Sequence, residues 1–190
     1  FLMIRRPPRA TLDRSSAASD VYKSQLIANE KFINDALEGL TPEELRVKPG
    51  PDSNPIGWLV WHFSRTQDNH VSGMTGWPHI YLTEKWYLKF DREGEESDRG
   101  RGHTTEQVDA LRAPNVETLL GYYNAVRAKT TRFLSELTID DLDRQVPEVR
   151  GNGMVPLSTR LTAILVDNIQ HTGQVAYLRG LIKGKGWLEA

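Results

Sequence analysis

Ser158-Thr-Arg-Leu-Thr-Ala-Ile-Leu-Val-Asp-Asn-Ile-Gln-His-Thr-Gly-Gln-Val-Ala-Tyr-Leu-Arg-Gly-Leu-Ile182 decides the fold. Leu161, Ile164, Leu165, Asn168, His171, Val175, Leu178 and Ile182 recur at the three- and four-residue spacing of one helical face, and Gly184 and Gly186 supply the stop. Before it, Pro147-Glu-Val-Arg-Gly-Asn-Gly-Met-Val-Pro156 reads as a loop or small hairpin. Further back, Asn115 caps another long helix whose stripe runs through Val116, Leu119, Leu120, Tyr123, Val126, Thr130, Phe133, Leu134 and Leu137.

Two more helices lie in the first half. One starts at a Ser19 or Asp20 cap and runs to about Leu37 through Tyr22, Leu26 and Ile33. The other follows the loop Lys48-Pro-Gly-Pro-Asp-Ser-Asn54, with Asn54 as its cap and Pro55 in its first turn, carries Ile56, Leu59, Val60, Phe63, Thr66 and His70, and ends near Gly73 or Gly76. Residues 77–114 have no clean period, with a short helix expected around Glu106–Ala110. A connection that long inside one domain is expected to cross over or to cover a site. Nothing reads as a βαβ unit, so the fold class is all-α: a four-helix bundle with helices of roughly 18–25 residues.

Composition narrows the function. At 190 residues, 38% hydrophobic and 26% charged, the chain suits one domain, taken as residues 13–190. Phe1–Leu12 resembles a translated adapter fused to a gene fragment, or else a disordered basic tail, and is set aside. Without Arg5, Arg6 and Arg9 the net charge of −1 becomes −4, and basic residues are scattered among acids, so neither nucleic acid nor an anionic membrane is an expected partner. The longest apolar run, Pro55–Phe63, is too short to span a bilayer, and the absence of a targeting signal points to the cytoplasm. There is no cysteine, which excludes disulfides, Cys-ligated zinc, iron–sulfur clusters and a cysteine nucleophile.

What remains is histidine and carboxylate chemistry. Asp167 and His171 are four residues apart and project from one face of their helix, and His62 stands at the edge of the apolar stripe of the second. Two helices of a bundle commonly build a metal site from such side chains, but spacing alone favours the plainer reading, Asp167 orienting a buried His171 by a hydrogen bond while His62 snorkels at the rim. His70 lies about 80° around the helix from His62 and is a rival metal ligand, more readily a pocket residue, or a partly exposed helix histidine, while Asp68, about 240° away, is expected to face solvent or the first helix. His79 and His103 are loop residues expected to be exposed; His103 can close over the site because Gly100 and Gly102 make its loop adaptable. Gly100-Arg-Gly102 lacks the third glycine and the strand of a dinucleotide site, and no Gly-x-Ser-x-Gly or Walker sequence is present. The Trp58/Trp61 and Tyr122/Tyr123 pairs are expected to be core and rim packing.

Ile56-Gly-Trp-Leu-Val-Trp-His-Phe-Ser-Arg-Thr-Gln-Asp-Asn-His70, Gly102-His-Thr-Thr-Glu-Gln-Val108, Leu120-Gly-Tyr-Tyr123 and Asp167–Gly180 together resemble the DinB/YfiT-like superfamily, in its actinobacterial-type branch related to mycothiol-dependent enzymes. The His-x-Gly-Gln ending of the last string is the most specific part. The resemblance implies an up-down-down-up bundle, often dimeric, with a divalent metal near one end held by a histidine of the second helix and a His-x-x-x-His of the fourth. His62 and His171 match; Asp167 stands where histidine is usual, which changes the metal preference more than it abolishes binding. Zinc comes first, with nickel, manganese or iron also compatible. Asn168 and Gln174 are expected to orient the ligands. The implied activity is transfer of a low-molecular-weight thiol such as mycothiol or bacillithiol to an electrophile. The alternatives are a metal-dependent hydrolase, a thiol-dependent isomerase, or a non-catalytic stress or binding protein.

Overall fold

A computed structural model describes residues 12–149 and 151–188. Its seven helices are α1 (Leu12–Leu37), α2 (Ile56–Thr75), α3 (Ile80–Thr83), α4 (Trp86–Lys89), α5 (Thr105–Ala110), α6 (Val116–Glu136) and α7 (Leu157–Lys183), and a two-stranded antiparallel hairpin pairs β1 (Gln145–Pro147) with β2 (Met154–Pro156). The expected hairpin, the short α5 and the two long C-terminal helices are all present. α3 and α4 were not legible in the aromatic run, which lacks a helical period.

Helix ends follow local chemistry. The Asn115 side chain accepts from the Thr118 amide at 2.8 Å and caps α6. Gly76 takes φ 74° and closes α2 by donating to the Ser72 carbonyl, a left-handed stop that favours glycine. Two expected starts move. Pro55, not Asn54, is the cap residue of α2, because its ψ of 166° keeps it extended while its carbonyl accepts from Leu59. α1 runs straight through Ser19 and Asp20, since no Gly or Pro interrupts Leu12–Leu37 and a cap residue alone does not start a helix. The expected tail, apart from Leu12, lies outside the described residues.

Pair contacts give the helix directions. Tyr22 meets Thr162 and Arg179 donates to the Glu38 carbonyl, so α1 and α7 run the same way. Phe63 packs on Tyr123 and Ser72 reaches Lys129, so α2 and α6 also run together. His62 adjoins His171 and His70 adjoins Arg160, which makes α2 and α7 antiparallel. The apolar interior has two parts. One holds Ile33, Leu37, Trp61, Phe63, Tyr122, Tyr123 and Val175; the other, nearer the hairpin, holds Leu26, Val71, Met74, Phe133, Val146, Leu157 and Leu161.

α2 is buried on nearly every side, and this overturns the outward placement of Asp68. That carboxylate is fully buried, 2.8 Å from Lys129 Nζ and 3.7 Å from Arg65 Nη1, and it accepts from the Ile80 and Tyr81 amides at the start of α3. Helical phase failed here because the connection after α2 folds back over the face that a free helix would show to water. Replacing Asp68 with Ala leaves two buried cations without their anion. We expect a loss of about 3–5 kcal/mol in urea unfolding, against less than about 1 kcal/mol for the exposed pair member Arg132→Ala.

Candidate metal centre

α2 and α7 bring His62, Asp167 and His171 together. One ligand atom from each lies within 4.8 Å of the other two, and this is the only such group of His and carboxylate residues among the described residues. All three are half-buried. The His62 and His171 rings meet edge to face with centroids 4.9 Å apart, and His171 Nε2 is 3.6 Å from Asp167 Oδ1.

The outer nitrogen of each imidazole is occupied. His62 Nδ1 donates to the Arg99 carbonyl, and His171 Nδ1 donates to Gln174 Oε1 at 2.8 Å. Both bonds leave Nε2 facing the shared centre with its lone pair, the arrangement that metal-binding histidines require. Asp167 Oδ2 is buried without a hydrogen-bond partner. An orphaned carboxylate oxygen beside two inward lone pairs is a donor set for a divalent cation of the zinc type. Burial, followed by the charge of neighbouring His171, pushes the His62 pKa down despite the Arg99 carbonyl. Burial also pushes on His171, but the bonds to Asp167 and Gln174 outweigh it and hold its pKa above the usual imidazole value.

The His62 orientation is built by the connection 91–103. Arg65, fully buried, donates to the carbonyls of Glu96 and Asp98 at 2.9 and 3.0 Å and reaches that of Glu95 at 3.4 Å. Asp98 receives Arg92, His103 and the Gly100 amide. Trp58 Nε1 donates to His103 Nδ1 and stacks on His62 at 4.6 Å, only 9° from parallel. His103 therefore supports the loop over the site from the inside, packed against Trp61, and is not the exposed residue expected. His79 is buried as well, 3.2 Å from Glu96.

The remaining candidates separate. Gln174 Oε1 accepts from His171 Nδ1. Asn168 does not act on the ligands: it is buried and donates to the Ile164 carbonyl of its own helix. His70 is a pocket residue, 6% exposed, whose Nδ1 accepts from Arg160 Nε at 3.1 Å, so the partly exposed alternative fails. Sequence reasoning missed Asp98, one acid in a charged run, and the Arg99 carbonyl, which carries no side-chain signal.

With this geometry in hand, the comparisons fix the class. A sequence model described as the DinB superfamily matches residues 25–175, and the chain belongs to that superfamily. A conserved protein from Enterococcus faecalis has a similar crystal structure, with a TM-score of 0.78 at 25% identity over 88% of this chain and 98% of the other. A DinB-like protein from Bacillus cereus ATCC 10987 shares the fold, with a TM-score of 0.61 at 19% identity over 88% and 95%. No curated protein matches significantly. No described helix is long and apolar enough to cross a membrane.

Gly100 gives the test of this architecture. It sits at φ 81°, and a Cβ there would lie 2.7 Å from Trp58 and 2.9 Å from Trp61. Gly100→Ala is expected to cost about 1–3 kcal/mol in urea unfolding and to remove the slowly exchanging His62 Nδ1 proton from the imidazole NMR spectrum.

Proposed function

We propose that the chain is a divalent-metal-dependent thiol S-transferase on an up-down-down-up four-helix bundle, with His62, Asp167 and His171 as the metal ligands. The observation that carries the reading is the convergence of two outward-anchored imidazoles on a buried carboxylate oxygen with no other partner. Three protein ligands leave coordination positions open, the pattern of a reactive rather than a structural site. They open onto a cavity of about 600 Å³, large enough for a small cosubstrate and an electrophile. A divalent metal bound there supplies Lewis acidity that favours the thiolate form of a bound thiol at neutral pH. The chain has no cysteine, so the sulfur arrives with the cosubstrate.

The chain's own residues then have defined tasks. The Arg99 carbonyl and Gln174 hold the two imidazoles in the tautomer that offers Nε2 inward. Asp167 would neutralise one positive charge of a bound cation, and its buried Oδ2 has no competing hydrogen-bond partner. Trp58, stacked on His62, excludes water from that side of the ring.

The reading is tested in two stages. Tag-free protein reconstituted with zinc should hold about one equivalent, falling below about 0.2 in His171→Ala. Metal-loaded protein should then conjugate monochlorobimane with at least one of mycothiol, bacillithiol and glutathione, with rates roughly 100-fold or more lower in Asp167→Ala. Metal binding without thiol-dependent conjugation would transfer the reading to metal-assisted hydrolysis, and no metal binding would overturn both.

A further inference from the structure

The cavity beside the three ligands has a cationic wall. Arg99 and Arg101 enter from the connection that covers α2, and Arg160 enters from the first turn of α7. Arg160 is 4% exposed, yet every hydrogen bond it makes goes to a neutral acceptor: Nε to His70 Nδ1 and Nη2 to the His70 carbonyl, both at 3.1 Å, and Nη1 to the Pro147 carbonyl. Among the described residues it forms no ion pair. A guanidinium carries five N–H donors, so two remain. A buried cation with only neutral partners keeps most of its desolvation cost, and the missing component is an anion. Burial and the nearby Arg99 charge both push the Arg160 pKa down. Glu148 also lines the cavity, but its carboxylate lies beside Gly151 of the hairpin turn rather than in an ion pair with Arg160. Arg101, exposed at the mouth, makes no hydrogen bond or ion pair among the described residues.

We propose that this wall, with Arg160 at its base and Arg101 at its rim, is a binding site for a carboxylate or phosphate group of the reactant. Planar guanidinium groups bind either oxyanion through paired N–H donors. Arg160 precedes Asp167 by seven residues, a rise of about 10 Å along α7. The reactant is therefore an acid whose charged group lies roughly two helical turns from the atom that reacts, and a neutral compound of the same size binds poorly. The assignment as a reactant site rests on the proposed metal chemistry; the anion site itself does not.

The experiment uses the full chain stripped of metal, titrated calorimetrically at low ionic strength with inorganic phosphate and with glutarate, glutaramide being the neutral control. We expect saturable one-site binding of at least one anion and none of glutaramide. Preference for phosphate assigns a phosphoryl acid, and preference for glutarate a carboxylic acid. Arg160→Lys, which keeps the charge and loses the fork, should weaken binding about tenfold. Because that change also touches the hairpin, Arg101→Gln provides a variant that disturbs no packing, with an expected loss of about threefold or more. His171→Ala should bind the anion as the parent does, so failure of the metal reading and failure of this one are separable. No saturable binding of either anion, or binding that both arginine variants leave within twofold of the parent, overturns the proposal.

Discussion

The placement of Arg65 inside the protein sets the terms for everything around the site. A guanidinium with no water must find acceptors or cost several kcal/mol. Asp68, at 3.7 Å and already engaged with Lys129 and two backbone amides, satisfies only part of that demand. The Tyr81 ring covers the flat face at 4.1 Å, and the carbonyls of Glu95, Glu96 and Asp98 take the Nε and Nη2 donors, leaving Nη1 to its ion pair with Asp68. Three consecutive stretches of backbone are thereby drawn against α2, and the next carbonyl along, that of Arg99, arrives on His62 Nδ1. A buried charge on α2 has thus become the device that aims the His62 imidazole, whose ring lies 4.9 Å from that of His171 on α7.

The side chains that converge at the candidate centre and the groups that hold them in place come from different elements. The three side chains that meet come from two antiparallel helices, where spacing alone fixes their direction. Their outer bonds come from a loop on one side and from the next turn of α7 on the other. The loop half is expensive to build, needing Arg65, Arg92, Asp98, His103 and an unsubstituted Gly100. The helical half needs only Gln174, one turn beyond His171.

This division explains what could be read from the sequence. The long helices were legible because their apolar periods and stops are strong: Asn115 and Gly76 act through local chemistry that no tertiary contact overrides. The Asp167/His171 pair was legible because a four-residue spacing is geometry, and His62 was legible from its stripe position together with the family resemblance. Asp68 was misplaced because angular arithmetic assumes one wet face, which α2 lacks. Asn168 was misassigned because adjacency to Asp167 in sequence puts it about 100° around the helix, where it bonds its own backbone. His79 and His103 were misjudged because loop residues count as exposed until the loop is known to fold inward. The Arg99 carbonyl had no chance of being found, since a backbone acceptor is the same in every residue.

That last point has a consequence for how the protein can change over time. Arg65 and His62 read the connection almost wholly through carbonyl oxygens, which any amino acid provides. The side chains of Glu93, Glu95 and Glu96 are exposed and carry none of the contacts that aim His62. Substitutions there leave the loop's path intact as long as Arg65, Arg92, Asp98, Gly100 and His103 persist. The solvent face of the connection is thus open to drift in charge and size while the histidine behind it stays fixed, so the surface of this part of the protein can change without loosening the ring it holds.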